Sequence, residues 1–174
     1  MASETMPDTS LDALRDTVER MEERLLDRGA PGYDALVARF TADLPNERDR
    51  RLAQSAALMV HQQQAVNATL ATRFLEAYAA KDLDTIASMI TPGVRLRDWN
   101  LAVSGRDAFL AETRKNFEDA DRIAIDLLHL HATARSVAAE LRILVNEDIE
   151  LTVVDVFDFD DQGRITAVRS YKGL

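Results

Sequence analysis

The chain has 174 residues, of which 47% are hydrophobic and 29% are charged, a composition that suits one globular domain with a substantial core. Its net charge of -9 argues against nucleic acid and anionic membranes as partners, because binding to either requires clustered lysine and arginine. The absence of cysteine excludes disulfides, thiolate metal sites and cysteine nucleophiles.

The first ten residues, MASETMPDTS, lack the basic and apolar regions of a secretory signal. No apolar run approaches the roughly 20 residues that a membrane span requires. We therefore expect a cytoplasmic protein whose residues 1–9 are disordered.

Residues 10–66 predict a helical extension. Ser10 is a suitable N-cap, and the apolar residues that follow it recur at alternating steps of three and four: Leu11, Leu14, Val18, Met21 and Leu25. Gly29 and Pro31 end this helix. Its apolar seam either packs on the rest of the chain or forms an arm for dimerisation. A second short helix runs through YDALVARFTADL.

Asn46 predicts the start of a third, longer helix that extends from Glu47 to about Lys81, with a break at HQQQ as an open alternative. The tripeptide Asn67-Ala68-Thr69 matches a glycosylation acceptor, but it falls inside this helix in a chain without a predicted secretory signal, so we do not expect glycosylation there. The polar stretch KDLD is a hinge into another short helix, and Pro92 and Gly93 close the helical section.

Residues 67–174 predict an α+β domain. VRLRDWNLAVSG is interpreted as a strand with a turn, and GRDAFLAETRKNF as a helix capped by Ser104. Strands then follow in RIAIDLLHLHAT, SVAAELRILV, LTVVDVFDF and RITAVRSYK, joined by hairpins such as NED and DDQG. This order predicts antiparallel pairing of the strands that the hairpins join.

Strand alternation decides where Asp155 points. If NED turns the hairpin, Asp155 shares a face with these apolar residues: Ala139, Leu141, Ile143, Val145, Ile149, Leu151, Val153, Phe157 and Phe159. If DDQG forms a four-residue loop, Asp155 faces Val168, with Thr166 and Ser170 beside it. We expect a raised pKa for Asp155, because low dielectric disfavours the charged form. A purely structural acid, paired with Ser170 or an arginine, is the alternative.

The stretches FLEAYAAKDLDTIASMITPGVRLRD, SGRDAFLAE and VVDVFDFDDQGRITAVRSY resemble the SnoaL-like branch of the nuclear transport factor 2-like superfamily, which includes ketosteroid isomerase. The resemblance covers about residues 68–174. It implies a cystatin-like α+β roll, in which a curved antiparallel sheet wraps helices into a cone with a mostly apolar pocket. It also implies a homodimer.

The resemblance to ketosteroid isomerase further implies catalytic roles for two acids. Asp98 falls at the position of the general base, and Asp155 at that of the protonated aspartate that donates a hydrogen bond to the substrate oxyanion. The family's tyrosine falls on Phe74, which cannot donate a hydrogen bond. Tyr78, one helical turn further along, is the residue that can supply the missing hydroxyl.

These roles predict a cofactor-free and metal-free enzyme that moves a proton next to a carbonyl in a small apolar molecule, as an isomerase, cyclase or dehydratase. The predicted substrate-binding residues, beside the two acids, are Phe74, Tyr78, Trp99, His129, Val168 and Ser170. Within this set His129 is the reserve base, because it shares a strand face with His131, and related dehydratases rely on histidine.

Two alternatives belong to the same resemblance. An epoxide hydrolase of the limonene type requires an Asp-Arg-Asp set, but its positions are occupied by Leu141, Ile143 and Ser170, which disfavours that chemistry. A non-catalytic module that binds a ligand or oligomerises is the other alternative, since the fold alone does not determine function.

Overall fold

The computed structural model describes residues 44 and 46–173. The chain divides after Gln63 into two units, and the second, Gln64–Leu174, contains the sheet. The predicted disorder of residues 1–9, the Ser10 helix with its seam and the short helix at YDALVARFTADL lie outside the described residues. The predicted domain boundary between residues 66 and 67 stays a prediction.

Helix α1 spans Glu47–Ala79 and continues through HQQQ without a break. Asn46 caps it as predicted, because its Oδ1 accepts the backbone N–H of Asp49 at 2.9 Å. In the second unit this helix buries Ala71, Phe74 and Leu75, whose spacing of three and four places them on one side. In residues 44 and 46–173 we find no helix that combines the length and apolar character of a membrane span.

Helix α2 spans Leu83–Met89, in the place that the KDLD hinge predicts. Asp82 caps it by accepting the backbone N–H of Thr85 at 2.9 Å. Lys81 has a φ of 56° and donates from Nζ to the backbone carbonyls of Phe117 and Ala120. The hinge is therefore tied to the end of the next long helix.

Strands β1 (Ile90–Arg97) and β2 (Ala102–Ser104) form the predicted strand and turn, and helix α3 spans Arg106–Asp119. The predicted cap of α3 at Ser104 is wrong. Ser104 ends β2, and the N-cap is Gly105, whose φ of 94° is a conformation that favours glycine. The backbone N–H of Gly105 donates to the carbonyl of Val94 at 2.8 Å, which fixes the change of direction.

Strands β3 (Ile123–Ala132), β4 (Ser136–Val145), β5 (Ile149–Phe159) and β6 (Ile165–Lys172) complete a six-stranded sheet. Its order is β2-β1-β6-β5-β4-β3. The predicted α+β fold is confirmed, with one ladder that differs from the antiparallel expectation: β1 and β6 pair in parallel. They do so because β6 enters the sheet at the end where β1 begins, as the pairing of Ile90 with Ile165 shows, so that both strands run in the same direction.

The register of β4 and β5 confirms the predicted faces. Asp155 pairs with Ala139, and its neighbours on that face are the buried Val153 and Phe157. The opposite strand partner differs from the prediction: Asp155 pairs with Ser170, whereas Val168 pairs with Phe157. The difference of two residues has two causes. The loop between the paired Phe159 and Ile165 has five residues instead of four, and a register shift between Asp158 and Phe159 adds one more residue.

Asn67 is fully buried in α1, a position that does not suit a glycosylation site. Its Nδ2 donates to the backbone carbonyls of Ala134 at 3.0 Å and Thr133 at 3.3 Å, in the turn between β3 and β4. These bonds connect α1 to the turn between β3 and β4 and give both backbone carbonyls a buried donor.

We expect Asn67→Ala to lower the free energy of unfolding by about 1–3 kcal/mol, because it removes the buried donor of both carbonyls. Urea denaturation followed by circular dichroism measures the change. Thr69→Ala is the matched control, since Thr69 is exposed on the same helix and its hydroxyl donates to the backbone carbonyl of Ala65 at 2.9 Å. Equal effects of the two substitutions would contradict the role given to Asn67.

Candidate active site

The inner face of the sheet and helices α1 and α3 enclose a cavity of about 290 Å³ within the second unit. Its apolar wall comes from residues that the strand and helix periodicities turn inward: Phe74, Leu75, Leu96, Phe109, Ala120, Ile123, Ile125, Ile143, Val145, Leu151, Val153 and Val168. A cavity of this size holds a small molecule, and its lining favours an apolar one.

A few polar groups converge on this apolar cavity. Asp155 and Ser170 come from the paired strands β5 and β6, Tyr78 from α1, Asn116 from α3 and Asp98 from the turn after β1. Thr113, Asn100 and Asp119 also line it. Apolar walls with a small number of placed polar groups are typical of a ligand-binding or active site.

Asp155 is the acid in the apolar part of the cavity. Burial raises its pKa from 3.8 to about 6, and a hydrogen bond with Ser170 opposes this rise. Its Oδ1 is fully buried without a hydrogen-bond partner among the described residues. A buried carboxyl oxygen without a hydrogen-bond partner lowers the stability of the fold. Because Oδ1 has no partner among the described residues, it is available to form a hydrogen bond with a ligand.

Asp98 lies at the other polar position, in the turn between β1 and β2. Its Oδ1 accepts the backbone N–H groups of Asn100 at 2.6 Å and Leu101 at 2.8 Å, which holds the side chain in place. No hydrogen bond involves its Oδ2 among the described residues, and the side chain is half-buried at the cavity. A fixed carboxylate with one free oxygen is a suitable acceptor of a proton.

Tyr78 places a hydroxyl group at the cavity. Asn116 donates from Nδ2 to this hydroxyl at 3.0 Å. Burial raises the pKa of Tyr78, the bond from Asn116 lowers it, and the charges of Asp155 and Asp98 raise it. Since the charges of both acids affect the pKa of Tyr78, the three groups lie close enough to interact with the same ligand in the cavity.

A family model described as "SnoaL-like domain" matches residues 71–168, which is more than half of the chain. The chain belongs to the SnoaL-like family. The match covers the last nine residues of α1, the whole sheet up to Val168 and therefore most of the cavity wall. The resemblance predicted from the sequence is thus confirmed. No curated protein sequence matches the chain.

Solved structures share the fold of this SnoaL-like protein. A Kribbella flavida protein provisionally named a ketosteroid isomerase has 17% identity and a TM-score of 0.59, over 67% of this chain and 82% of that one. An epoxide hydrolase of Mycobacterium tuberculosis, described as similar to limonene epoxide hydrolase, has 19% identity and a TM-score of 0.56, over 64% and 85%. SalBIII, an epoxide hydrolase/cyclase-like enzyme of pyran ring formation in salinomycin, has 23% identity and a TM-score of 0.55, over 62% and 91%.

Of the predicted site residues of the SnoaL-like domain, seven line the cavity: Asp98, Asp155, Phe74, Tyr78, Trp99, Val168 and Ser170. Phe74 packs edge-on against Phe157, with 5.3 Å between the ring centres, and so forms part of the core as well as the wall. Trp99 is 45% exposed at the Asp98 turn. It therefore lies at the solvent-facing side of the cavity.

His129 does not line the cavity, and the structure corrects this prediction. A register shift in β3 between Leu127 and His129 places His129 opposite Glu140, which belongs to the outer face of the sheet. The next residue, Leu130, pairs with the buried Ala139 instead. A bulge of this kind reverses the alternation of side chains, which the regular pattern of LLHLHAT does not reveal.

Sequence reasoning missed Asn116 and Asp119. Both lie in the last turn of α3, a helix whose exposed and buried positions show no unusual spacing. An asparagine on an exposed helix position carries no signal by itself, and only the tertiary contact with Tyr78 distinguishes Asn116. Within the described residues, no group of three or more histidine, aspartate and glutamate side chains is arranged to hold a metal ion.

Proposed function

We propose that this SnoaL-like domain catalyses proton transfer next to a carbonyl in a small, mostly apolar molecule, without a cofactor. The observation that supports this most directly is the buried, unpartnered Oδ1 of Asp155 in an apolar cavity that also contains Asp98 and Tyr78. Two carboxyl groups in different environments can separate a base from an acid.

In the proposed reaction, Asp98 takes the proton from the carbon next to the carbonyl through its free Oδ2. The C–H electron pair forms the carbon–carbon double bond of an enolate, and the negative charge develops on the carbonyl oxygen. Protonated Asp155 and the Tyr78 hydroxyl donate hydrogen bonds to that oxygen. Asp98 then returns the proton to the same or to another carbon, which gives exchange or isomerisation.

Tyr78 compensates for Phe74 in this proposal. Phe74 cannot stabilise an oxyanion, and loss of one donor from such a site typically lowers the rate about a hundredfold to a thousandfold. The Tyr78 hydroxyl lies at the same cavity one turn later on α1, and its ring centre is 6.3 Å from that of Phe74. The second donor therefore comes from a different position on the same helix.

The raised pKa of Asp155 decides in which pH range this acid operates. Because burial is the main cause of its value of about 6, an apolar ligand that displaces water from the cavity raises it further. Ligand binding then favours the neutral form that donates a hydrogen bond.

A homodimer and a cytoplasmic location stay predictions. The proposed roles of the site residues depend on neither of them.

We expect the protein to exchange the α-protons of small cyclic ketones in D₂O, with a rate that falls as pH rises through the pKa of Asp155. The sign follows from the acid role, since the donor is lost on ionisation. Proton NMR of cyclohexanone and of a β,γ-unsaturated cyclohexenone between pH 5 and 8 measures the rate.

Asp155→Asn is the matched variant in this experiment, because an amide cannot lose its proton in this range and its exchange rate should be independent of pH near 6. A rate that rises through pH 6 in the wild type would assign Asp155 the role of base instead. Exchange at the background rate with saturable binding of both ketones would favour the non-catalytic, ligand-binding alternative.

A further inference from the structure

Asn116 is a polar group of the cavity to which the proposed proton transfer assigns no role. It lies on α3 and donates from Nδ2 to the Tyr78 hydroxyl on α1 at 3.0 Å. We propose that Asn116 is a positioning residue, which directs the hydroxyl proton of Tyr78 toward the substrate oxygen. This inference rests on the proposed function, because it concerns one of the two hydrogen-bond donors of that reaction.

The direction of the hydrogen bond carries the first step of the argument. A phenol has one proton to donate and an oxygen that accepts, whereas an amide nitrogen only donates. Since Asn116 donates, the oxygen of Tyr78 acts as the acceptor and its own proton remains available. Without Asn116 the hydroxyl proton would be free to lie on either side of the C–O bond in the plane of the ring.

The surroundings of Tyr78 limit where that proton can go. The ring centres of Phe74 and Phe117 lie 6.3 Å and 4.9 Å from that of Tyr78, and both rings are hydrocarbon. The hydroxyl group itself lies at the cavity that Asp155 and Asp98 also line. A carbonyl oxygen of a bound ligand is therefore a suitable acceptor.

Asn116 also affects the acidity of Tyr78. Burial raises the pKa of Tyr78, and the charges of Asp155 and Asp98 act in the same direction, whereas the hydrogen bond from Asn116 lowers it. A donor stabilises a developing oxyanion better when its own proton is more acidic. The same bond thus orients the hydroxyl group and strengthens it as a donor.

If the bond between Asn116 and Tyr78 only stabilised the fold, loss of the Asn116 side chain would lower the free energy of unfolding. Asn116 is exposed, and exposed substitutions usually leave stability almost unchanged. Loss of its side chain should therefore leave the fold intact and change mainly the properties of Tyr78. This separation makes the role of Asn116 measurable.

The experiment compares Asn116→Ala and Asn116→Asp with the wild type, with Tyr78→Phe as reference and Glu118→Gln as control. Glu118 is exposed on the same helix outside the cavity lining. The first readout is the pKa of Tyr78 from tyrosinate absorbance, assigned among the three tyrosines by subtraction of the Tyr78→Phe titration. The second is kcat and KM for ketone exchange.

We expect Asn116→Ala to raise the pKa of Tyr78 and to lower kcat about tenfold at unchanged KM, because the donor is misoriented but present. Asn116→Asp should raise the pKa further and lower kcat about a hundredfold, close to Tyr78→Phe, because a carboxylate accepts the hydroxyl proton and withdraws it from the substrate. Glu118→Gln should change neither readout.

Two results would overturn the inference. One is an unchanged or lowered pKa of Tyr78 in Asn116→Ala. The other is a wild-type rate in Asn116→Asp, which would show that Asn116 accepts the Tyr78 proton rather than donates to its oxygen. If the wild type exchanges no ketone, the proposed function fails, and the Tyr78 titrations in both variants still decide whether Asn116 tunes this hydroxyl group.

Discussion

Asp155→Asn is expected to raise the free energy of unfolding by about 2–3 kcal/mol at pH 8 and by much less at pH 4. The pKa of this carboxyl is raised from 3.8 to about 6 in the folded protein, mainly by burial. One unit of such a shift corresponds to about 1.4 kcal/mol. Neutral asparagine has a similar shape and avoids the cost of burying a charge.

The pH dependence of this effect has a definite sign. Because the folded pKa lies above the unfolded one, the stabilising contribution of protonated Asp155 is present below about 3.8 and is lost as pH rises through about 6. The difference between the variant and the wild type should therefore appear between these two values. Urea denaturation at pH 4 and pH 8 measures it.

Asp158→Asn is the matched control for Asp155→Asn. Asp158 lies three residues further along β5, on the opposite face, where it forms a bidentate ion pair with Arg169. Its substitution removes an ion pair, so it should not stabilise the protein at pH 8. If Asp155→Asn were also neutral or destabilising at pH 8, Asp155 would not be a destabilised acid.

Residues of active sites often lower the stability of the folded protein, because they are kept for function. Asp155 could be replaced by an uncharged residue with a gain in stability, and its Oδ1 has no partner among the described residues that would explain its presence. Ser170, its partner across the strands, forms one hydrogen bond with it. The cost of this acid is therefore better explained by a ligand than by the fold.

The fold is predicted well from the amino-acid sequence, because the positions of the strands and turns depend on local residue patterns. The strand β4 coincides with the stretch SVAAELRILV, and the face of Asp155 follows from the alternation across the NED turn. In that turn Asn146 and Glu147 both have positive φ, and the Asn146 side chain accepts the backbone N–H groups of Asp121 and Arg122. Turn chemistry and hydrophobic alternation agree here, so the register is determined.

Two of the predictions that the structure corrects depend on register shifts in strands. The shift between Leu127 and His129 moves His129 to the outer face. The shift at Asp158, together with a loop that is one residue longer than predicted, exchanges Val168 for Ser170 as the partner of Asp155. A bulge costs little free energy and has no strong sequence signature, so alternation alone does not locate it. Contacts between distant helices, such as that of Asn116 with Tyr78, are beyond local patterns altogether.

Asp98→Asn is expected to lower kcat for ketone exchange by about a hundredfold to ten-thousandfold, the usual contribution of a general base. The substitution is conservative for the turn, because the amide oxygen of asparagine can still accept the backbone N–H groups of Asn100 and Leu101. What it removes is the free carboxylate oxygen at the cavity. Single-turnover NMR exchange at pH 6, with KM determined separately, measures the loss.

Asp119→Asn is the control that isolates the position of the carboxylate from its charge. Asp119 also lines the cavity, but it is exposed at the end of α3 and makes no hydrogen bond among the described residues. Its substitution removes the same unit of negative charge, so a general electrostatic effect would lower both rates alike. We expect Asp119→Asn to retain the rate within about threefold, since exposed charges are well screened by water.

One combination of results would reverse the roles of the two acids. If Asp98→Asn is fully active, Asp155→Asn is inactive and the wild-type rate rises through pH 6, then Asp155 is the base and Asp98 is only a residue of the turn.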